Sequence, residues 1–134
     1  MRASLILLAA LLIHPALAMA DDDASAKPNP PVLKQVTAQF PTGDQVEYRV
    51  MTATLQPGTH SPWHTHPAPV AVYVVDGTFT LETKGGAPAN LNAGQALLEP
   101  INVEVRAANL GEVPTTVVIF QVSAPAEPFL KPTQ

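Results

Sequence analysis

The chain has 134 residues, no cysteine and a formal charge of −4 at neutral pH. Without cysteine there are no disulfides, no thiolate ligands and no lipid-anchored lipoprotein. Apart from Arg2, the basic residues (Lys27, Lys34, Arg49, Lys84, Arg106, Lys131) are scattered. No basic stripe exists to neutralise phosphates, so neither nucleic acid nor an anionic membrane surface is an expected partner.

Residues 1–20 read as a cleaved secretory signal. Arg2 gives the positive end, Leu5 to Ile13 is an unbroken apolar run, and Ala18-Met19-Ala20 is a small-x-small cleavage site, with cleavage after Ala18 as the close alternative. The run is too short to span a membrane. The expected location is outside the cytoplasm, most simply the periplasm. The mature chain of 114 residues would then carry eleven acidic and six basic side chains, and is long enough for one domain with a real core.

Residues 21–33 are acidic and then proline-rich, the composition of a flexible or extended arm. Short strands and turns follow over 34–123. Gln45 to Gln56 alternates and is rich in Val, Thr and Tyr, although alternation alone does not say whether Tyr48 or its neighbours Glu47 and Arg49 face inward. Val70 to Val75 is a β-branched run closed by Asp76-Gly77, which reads as a hairpin turn. Thr78 to Thr83 runs to a second turn at Gly85-Gly86. Ala93-Gly94 opens a strand over Gln95 to Glu99 that Pro100 ends. Val103 to Ala107, a turn around Asn109-Leu110-Gly111 and a long β-branched strand from Thr115 to Ser123 complete the set. The tail from Ala124 is proline-rich again, with Phe129 and Leu130 available to dock. Many short strands without sustained helical periodicity predict a single all-β sandwich or barrel.

The densest chemical signal is His64-x-His66. Alternate residues of a strand face one way, so both imidazoles point to one side and supply half of a metal site. The surrounding residues resemble the cupins, small double-stranded β-helix (jelly-roll) barrels. The first cupin motif is Gly, five residues, His-x-His, three or four residues, Glu, six residues, Gly. Here Gly58, His64, His66 and Gly77 match, and Val70 stands at the glutamate position. The second is Gly, five residues, Pro-x-Gly, two residues, His, three residues, Asn. Here Gly94, Pro100 and Asn109 match, Asn102 replaces the glycine and Val105 the histidine. The resemblance covers the domain from about Val32 to Ser123.

That resemblance implies a divalent metal (iron, manganese, zinc or nickel) at the barrel centre, but only His64 and His66 of its usual ligands survive. Val70 and Val105 cannot ligate, and with Val72 and Val74 they line the histidines with apolar surface. Two replacements are open. Glu99 would complete a two-histidine, one-carboxylate face if turned inward, or else is a solvated rim residue. His60 has the parity of His64 and His66, but Pro62 interrupts the strand between them. Trp63 stands beside His64, where it would stack on a flat ligand, cap the barrel or pack in a dimer interface. Asn109 suits a turn.

Three functions compete. The first is an exported binding module whose pocket of His64, His66, Val70, Val72, Val105 and Trp63 takes a small, mostly apolar or neutral molecule. The second is a metal-dependent oxygenase or isomerase using His64, His66 and Glu99. The third is a metal-free enzyme with His64 or His66 as general base. The resemblance also implies a homodimer.

Overall fold

The computed structural model describes residues 29–134. The expected signal segment and residues 21–28 of the arm lie outside the described residues. Among the described residues, nine strands form two antiparallel sheets: β1 (Glu47–Leu55), β2 (His64–Thr65), β3 (Val70–Asp76), β4 (Thr78–Thr83), β5 (Ala89–Asn92), β6 (Ala96–Glu99), β7 (Val105–Ala108), β8 (Thr115–Ser123) and β9 (Lys131–Pro132). One sheet has the order β1-β8-β3-β6 and the other β5-β4-β7-β2-β9. Together they make the expected all-β double-stranded β-helix. Among the described residues no helix is long and apolar enough to cross a membrane.

Alternation decides which side of each strand is wet. In β1, Glu47, Arg49, Met51, Ala53 and Leu55 turn inward while Tyr48 and Val50 face solvent. In β3, Val70, Val72 and Val74 are wholly buried, and they pack with Phe79, Leu81, Leu91, Val105 and Val117 into one core. Each such valine contributes about 1.5–3 kcal/mol by burial.

Asp76-Gly77 is not a hairpin turn. β3 and β4 belong to different sheets, so the dipeptide is the corner at which the chain crosses between layers. The register of β3 on β8 shifts between Val74 and Asp76, and Gly77 follows at φ 77°. A Cβ there would lie 2.7 Å from the Pro114 carbonyl oxygen, so only glycine fits. Turn chemistry and corner chemistry use the same residues, and the sequence does not separate them. The true hairpin joins β4 to β5 through Gly85-Gly86.

One departure from the resembled motifs is absorbed by the backbone, and one matching residue shows what it holds. Asn102 occupies the glycine position at φ 57°, a conformation that asparagine tolerates better than other side chains. Asn109, fully buried, donates to the carbonyls of Leu55 and Val113 at 2.9 and 2.8 Å and accepts from the Gly111 amide at 2.9 Å. It holds its turn and the end of β1 together.

The proline-rich tail is part of the barrel wall. β9 pairs with β2 (His64 opposite Pro132, Thr65 opposite Lys131), and the Thr133 amide donates to the Trp63 carbonyl at 2.9 Å.

Candidate metal centre

β2 is only two residues long because Pro62 stands before it and Pro67 and Pro69 after it, and proline cannot donate to a ladder. Its brevity does not disturb the alternation. His64 and His66 are 7% and 1% exposed and point into the barrel. Their rings meet edge to face at 86° with centroids 4.7 Å apart, and the two Nε2 atoms are 3.1 Å apart.

The partners of the other ring nitrogens fix the tautomers. His64 Nδ1 lies 2.8 Å from the Pro62 carbonyl oxygen. His66 Nδ1 lies 2.9 Å from the Phe129 carbonyl oxygen. A carbonyl only accepts, so both Nδ1 atoms carry protons and donate. Each neutral imidazole therefore presents a bare Nε2 lone pair, and the two lone pairs face each other.

Glu99 supplies a third acceptor. It ends β6, directly opposite Val70 of β3, and cross-strand partners share a face. The carboxylate that the motif places on β3 thus reaches the barrel interior from the neighbouring strand. Glu99 is 6% exposed. Its Oε2 lies 2.9 Å from His66 Nε2, yet that atom has no aligned hydrogen-bond partner. Buried acceptors without donors are costly, by about 1–3 kcal/mol each.

Three buried acceptors with no donor between them fit a cation. One ligand atom from each of His64, His66 and Glu99 falls within 4.8 Å of the others. Two atoms bound at about 2.1 Å and 90° to one metal are about 3.0 Å apart, which the 3.1 and 2.9 Å separations match. Two imidazoles and a carboxylate suit iron, manganese, zinc or nickel. A proton competes for the same place. Burial, the largest influence, pushes the His66 imidazole down, but the Glu99 carboxylate and the Phe129 carbonyl together outweigh it and raise it above the ordinary histidine value.

The other anticipated residues separate. Val70 and Val105 are wholly buried in the core beneath the site, Val105 directly opposite His64. Only Val72 of the three valines lines the cavity of about 280 Å³ that opens from the site. That cavity is bounded by His64, His66 and Glu99 at one end and by apolar side chains including Leu55, Phe79, Val117, Ile119, Phe129 and Leu130. Trp63 does not reach it. It lies in a separate groove with Arg106, whose guanidinium sits 4.8 Å above the indole ring. His60 lines the cavity but stands apart from the three ligand atoms, with its Nε2 3.9 Å from Glu82 Oε2.

Gln121 was not anticipated. It lies opposite Val70 on the other side from Glu99, and opposite Arg49 in turn, so Arg49, Gln121, Val70 and Glu99 form one inward row across four strands. Its amide donates to the Phe129 carbonyl at 3.0 Å and its oxygen accepts from Arg49 at 2.7 Å. The available signal was parity: Gln121 follows Val117 and Ile119 on the buried face of β8, where a polar residue needs a partner.

The family model described as "Cupin domain" matches residues 51–121. A search of curated proteins finds no match. Among solved structures, a cupin domain from Bordetella pertussis is 24% identical, over 62% of this chain and 88% of its own, with a TM-score of 0.51. A DMSP lyase from Ruegeria pomeroyi is 19% identical, over 64% of this chain, with a TM-score of 0.55. The polyketide cyclase from Streptomyces resistomycificus is 15% identical, over 76% of this chain and 86% of its own, with a TM-score of 0.53. The chain spans 44% and 43% of two DMSP lyase structures to which it is similar. At these identities the likeness is one of fold.

Proposed function

The chain belongs to the cupin domain family, and on that premise we propose that it holds one divalent metal through His64, His66 and Glu99 and presents it to a small, largely apolar molecule in the adjoining cavity. The observation that carries this reading is the tautomer assignment. Both Nδ1 atoms are committed to carbonyls, so two lone pairs and a carboxylate converge with no donor among them.

A bound metal would supply Lewis acidity, polarising an oxygen of the molecule beside it. The chain's own residues do the rest. The carbonyls of Pro62 and Phe129 orient the imidazoles, as outer partners of ligating histidines do. Glu99 contributes the site's one negative charge. The apolar wall of Leu55, Phe79, Val117, Ile119 and Leu130 excludes water and receives the apolar part of the ligand. A site with three protein ligands leaves positions open, the arrangement of catalytic rather than structural centres. Metal-dependent catalysis is therefore favoured over simple carriage. Export by the segment 1–20 is part of the same proposal, since the segment has a signal's layout.

A second reading keeps the proton instead of the metal: His66, raised by Glu99, would act as a general acid or base toward the cavity. Elemental analysis of protein purified without chelators or affinity tag separates the two. One equivalent of iron, manganese, zinc or nickel, lost in the His64→Ala/His66→Ala double variant, supports the metal centre. No metal in either protein, even after incubation with excess ions, overturns it.

A further inference from the structure

The strap 127–133 touches the site at both levels. Phe129 and Leu130 form part of the cavity wall. The Phe129 carbonyl accepts from His66 Nδ1 at 2.9 Å and from the Gln121 amide at 3.0 Å, and the Phe129 ring packs against the His66 imidazole with centroids 4.9 Å apart. Two positions further back, the Glu127 carbonyl accepts from Arg49 Nη2 at 2.7 Å. Arg49 also holds Gln121 and is braced by Glu47, whose other oxygen accepts from the Ala126 amide at 3.2 Å.

The strap itself is lightly held. β9 has two residues, and Pro125, Pro128 and Pro132 give no amides to any ladder. Elements with so few backbone bonds open at low free energy. The bond that selects the His66 tautomer thus comes from a segment whose own ladder is two residues long.

We propose that the C-terminal strap is the positioning element of the metal centre: the Phe129 carbonyl, aimed by Gln121 and Arg49, keeps His66 Nε2 bare and directed at the metal, so that metal occupancy and strap docking reinforce each other. The proposal rests on the metal reading above. When the strap lifts, His66 loses its Nδ1 acceptor, its ring is free to turn, and the cavity loses the Phe129 and Leu130 side of its wall. By linkage, whatever the docked strap adds to metal affinity, the metal returns to strap docking. Gln121 acts through the carbonyl and does not touch the metal, so it is a positioning residue.

The test uses the full chain, with Zn2+ or Mn2+ as the probe. Amide hydrogen exchange of the segment carrying the Phe129, Leu130, Lys131 and Thr133 amides is measured without metal and at saturation. Metal affinity is then measured for wild type and Gln121→Met, which removes both side-chain bonds at nearly constant volume. Saturating metal is expected to slow strap exchange selectively, by about tenfold or more, and Gln121→Met to weaken metal binding by about 10–100-fold, the usual loss for an outer partner. Strap exchange that ignores the metal overturns the proposal, whatever the variant does, because a purely structural glutamine would not couple the two. If Gln121→Met fails to fold, the wild-type exchange still decides. A wild type that exchanges normally but binds neither ion overturns the metal reading and this inference together, whereas metal binding with an indifferent strap overturns this inference alone.

Discussion

Replacing Glu99 with glutamine keeps the shape of the side chain and removes its charge, and should have opposite effects with and without metal. With metal, the variant lacks the site's only anion. Breaking a buried charge pair by removing one partner costs about 3–5 kcal/mol net, so the metal dissociation constant should rise by roughly 150- to 4,000-fold. Without metal, and well above the raised titration range of His66, the sign reverses. The wild type then buries a carboxylate oxygen with no donor beside a bare Nε2, whereas the glutamine amide can turn its NH2 toward that lone pair. Relief of one buried unsatisfied acceptor is worth about 1–3 kcal/mol. At about 4–8 °C per kcal/mol for a domain of this size, the metal-free variant should melt at least several degrees above metal-free wild type. Chelator-competition titration and thermal melts of stripped protein at pH 9 measure the two effects. A variant that binds metal like wild type, or a stripped variant that melts lower, would refute the convergence of three acceptors.

Other consequences follow from the same geometry. Since Val70 and Glu99 are direct cross-strand partners, the double variant Val70→Glu/Glu99→Val should recover most of the metal affinity that Glu99→Val alone loses. Titration of both proteins with Mn2+ reads this, and equal affinities would show that the carboxylate cannot be moved between the strands. Val105 is wholly buried opposite His64, so Val105→His should melt lower than wild type without metal, as overpacking costs about 1–3 kcal/mol, and bind metal more tightly through a fourth ligand. Metal affinity should also fall with pH. A metal must displace the proton from His66 Nε2, so below the raised titration point of His66 the apparent affinity should drop by about tenfold per pH unit. In stripped protein the sign for stability is the reverse. A raised histidine contributes in full below the ordinary value of about 6.5 and loses that contribution as pH climbs through its folded-state value. Wild type should therefore lose melting temperature relative to His66→Gln as pH rises across that window, and parallel melting curves would contradict the His66–Glu99 contact.

The barrel was legible in the sequence because strand alternation and β-branched runs are local. The inward pair His64 and His66 was legible for the same reason, as period two alone aims both side chains one way. Glu99 was weighed as a ligand only because it abuts Pro100 in the second motif. That its carboxylate reaches the interior beside Val70 depends on the register of β3 against β6, which no single strand encodes. The Asp76-Gly77 corner failed to announce itself because a hairpin and a change of sheet ask the same residues for the same backbone freedom. The strap was read only as a proline-rich tail with Phe129 and Leu130 available to dock, since its prolines suppress strand patterning and β9 forms by pairing with β2. Trp63 was placed near the pocket by adjacency to His64, but neighbours on a strand face opposite ways, and that parity sends its indole to Arg106 instead.

X-ray absorption at the metal edge of protein loaded with one equivalent of Zn2+ or Mn2+ reads the proposed ligands of the metal. A site of His64, His66 and Glu99 gives a shell of nitrogen and oxygen atoms with the outer-shell scattering of two imidazoles, and that scattering is lost in the His64→Ala/His66→Ala variant. A shell of oxygen alone, or two imidazoles that persist in the variant, would place the metal elsewhere and contradict that site.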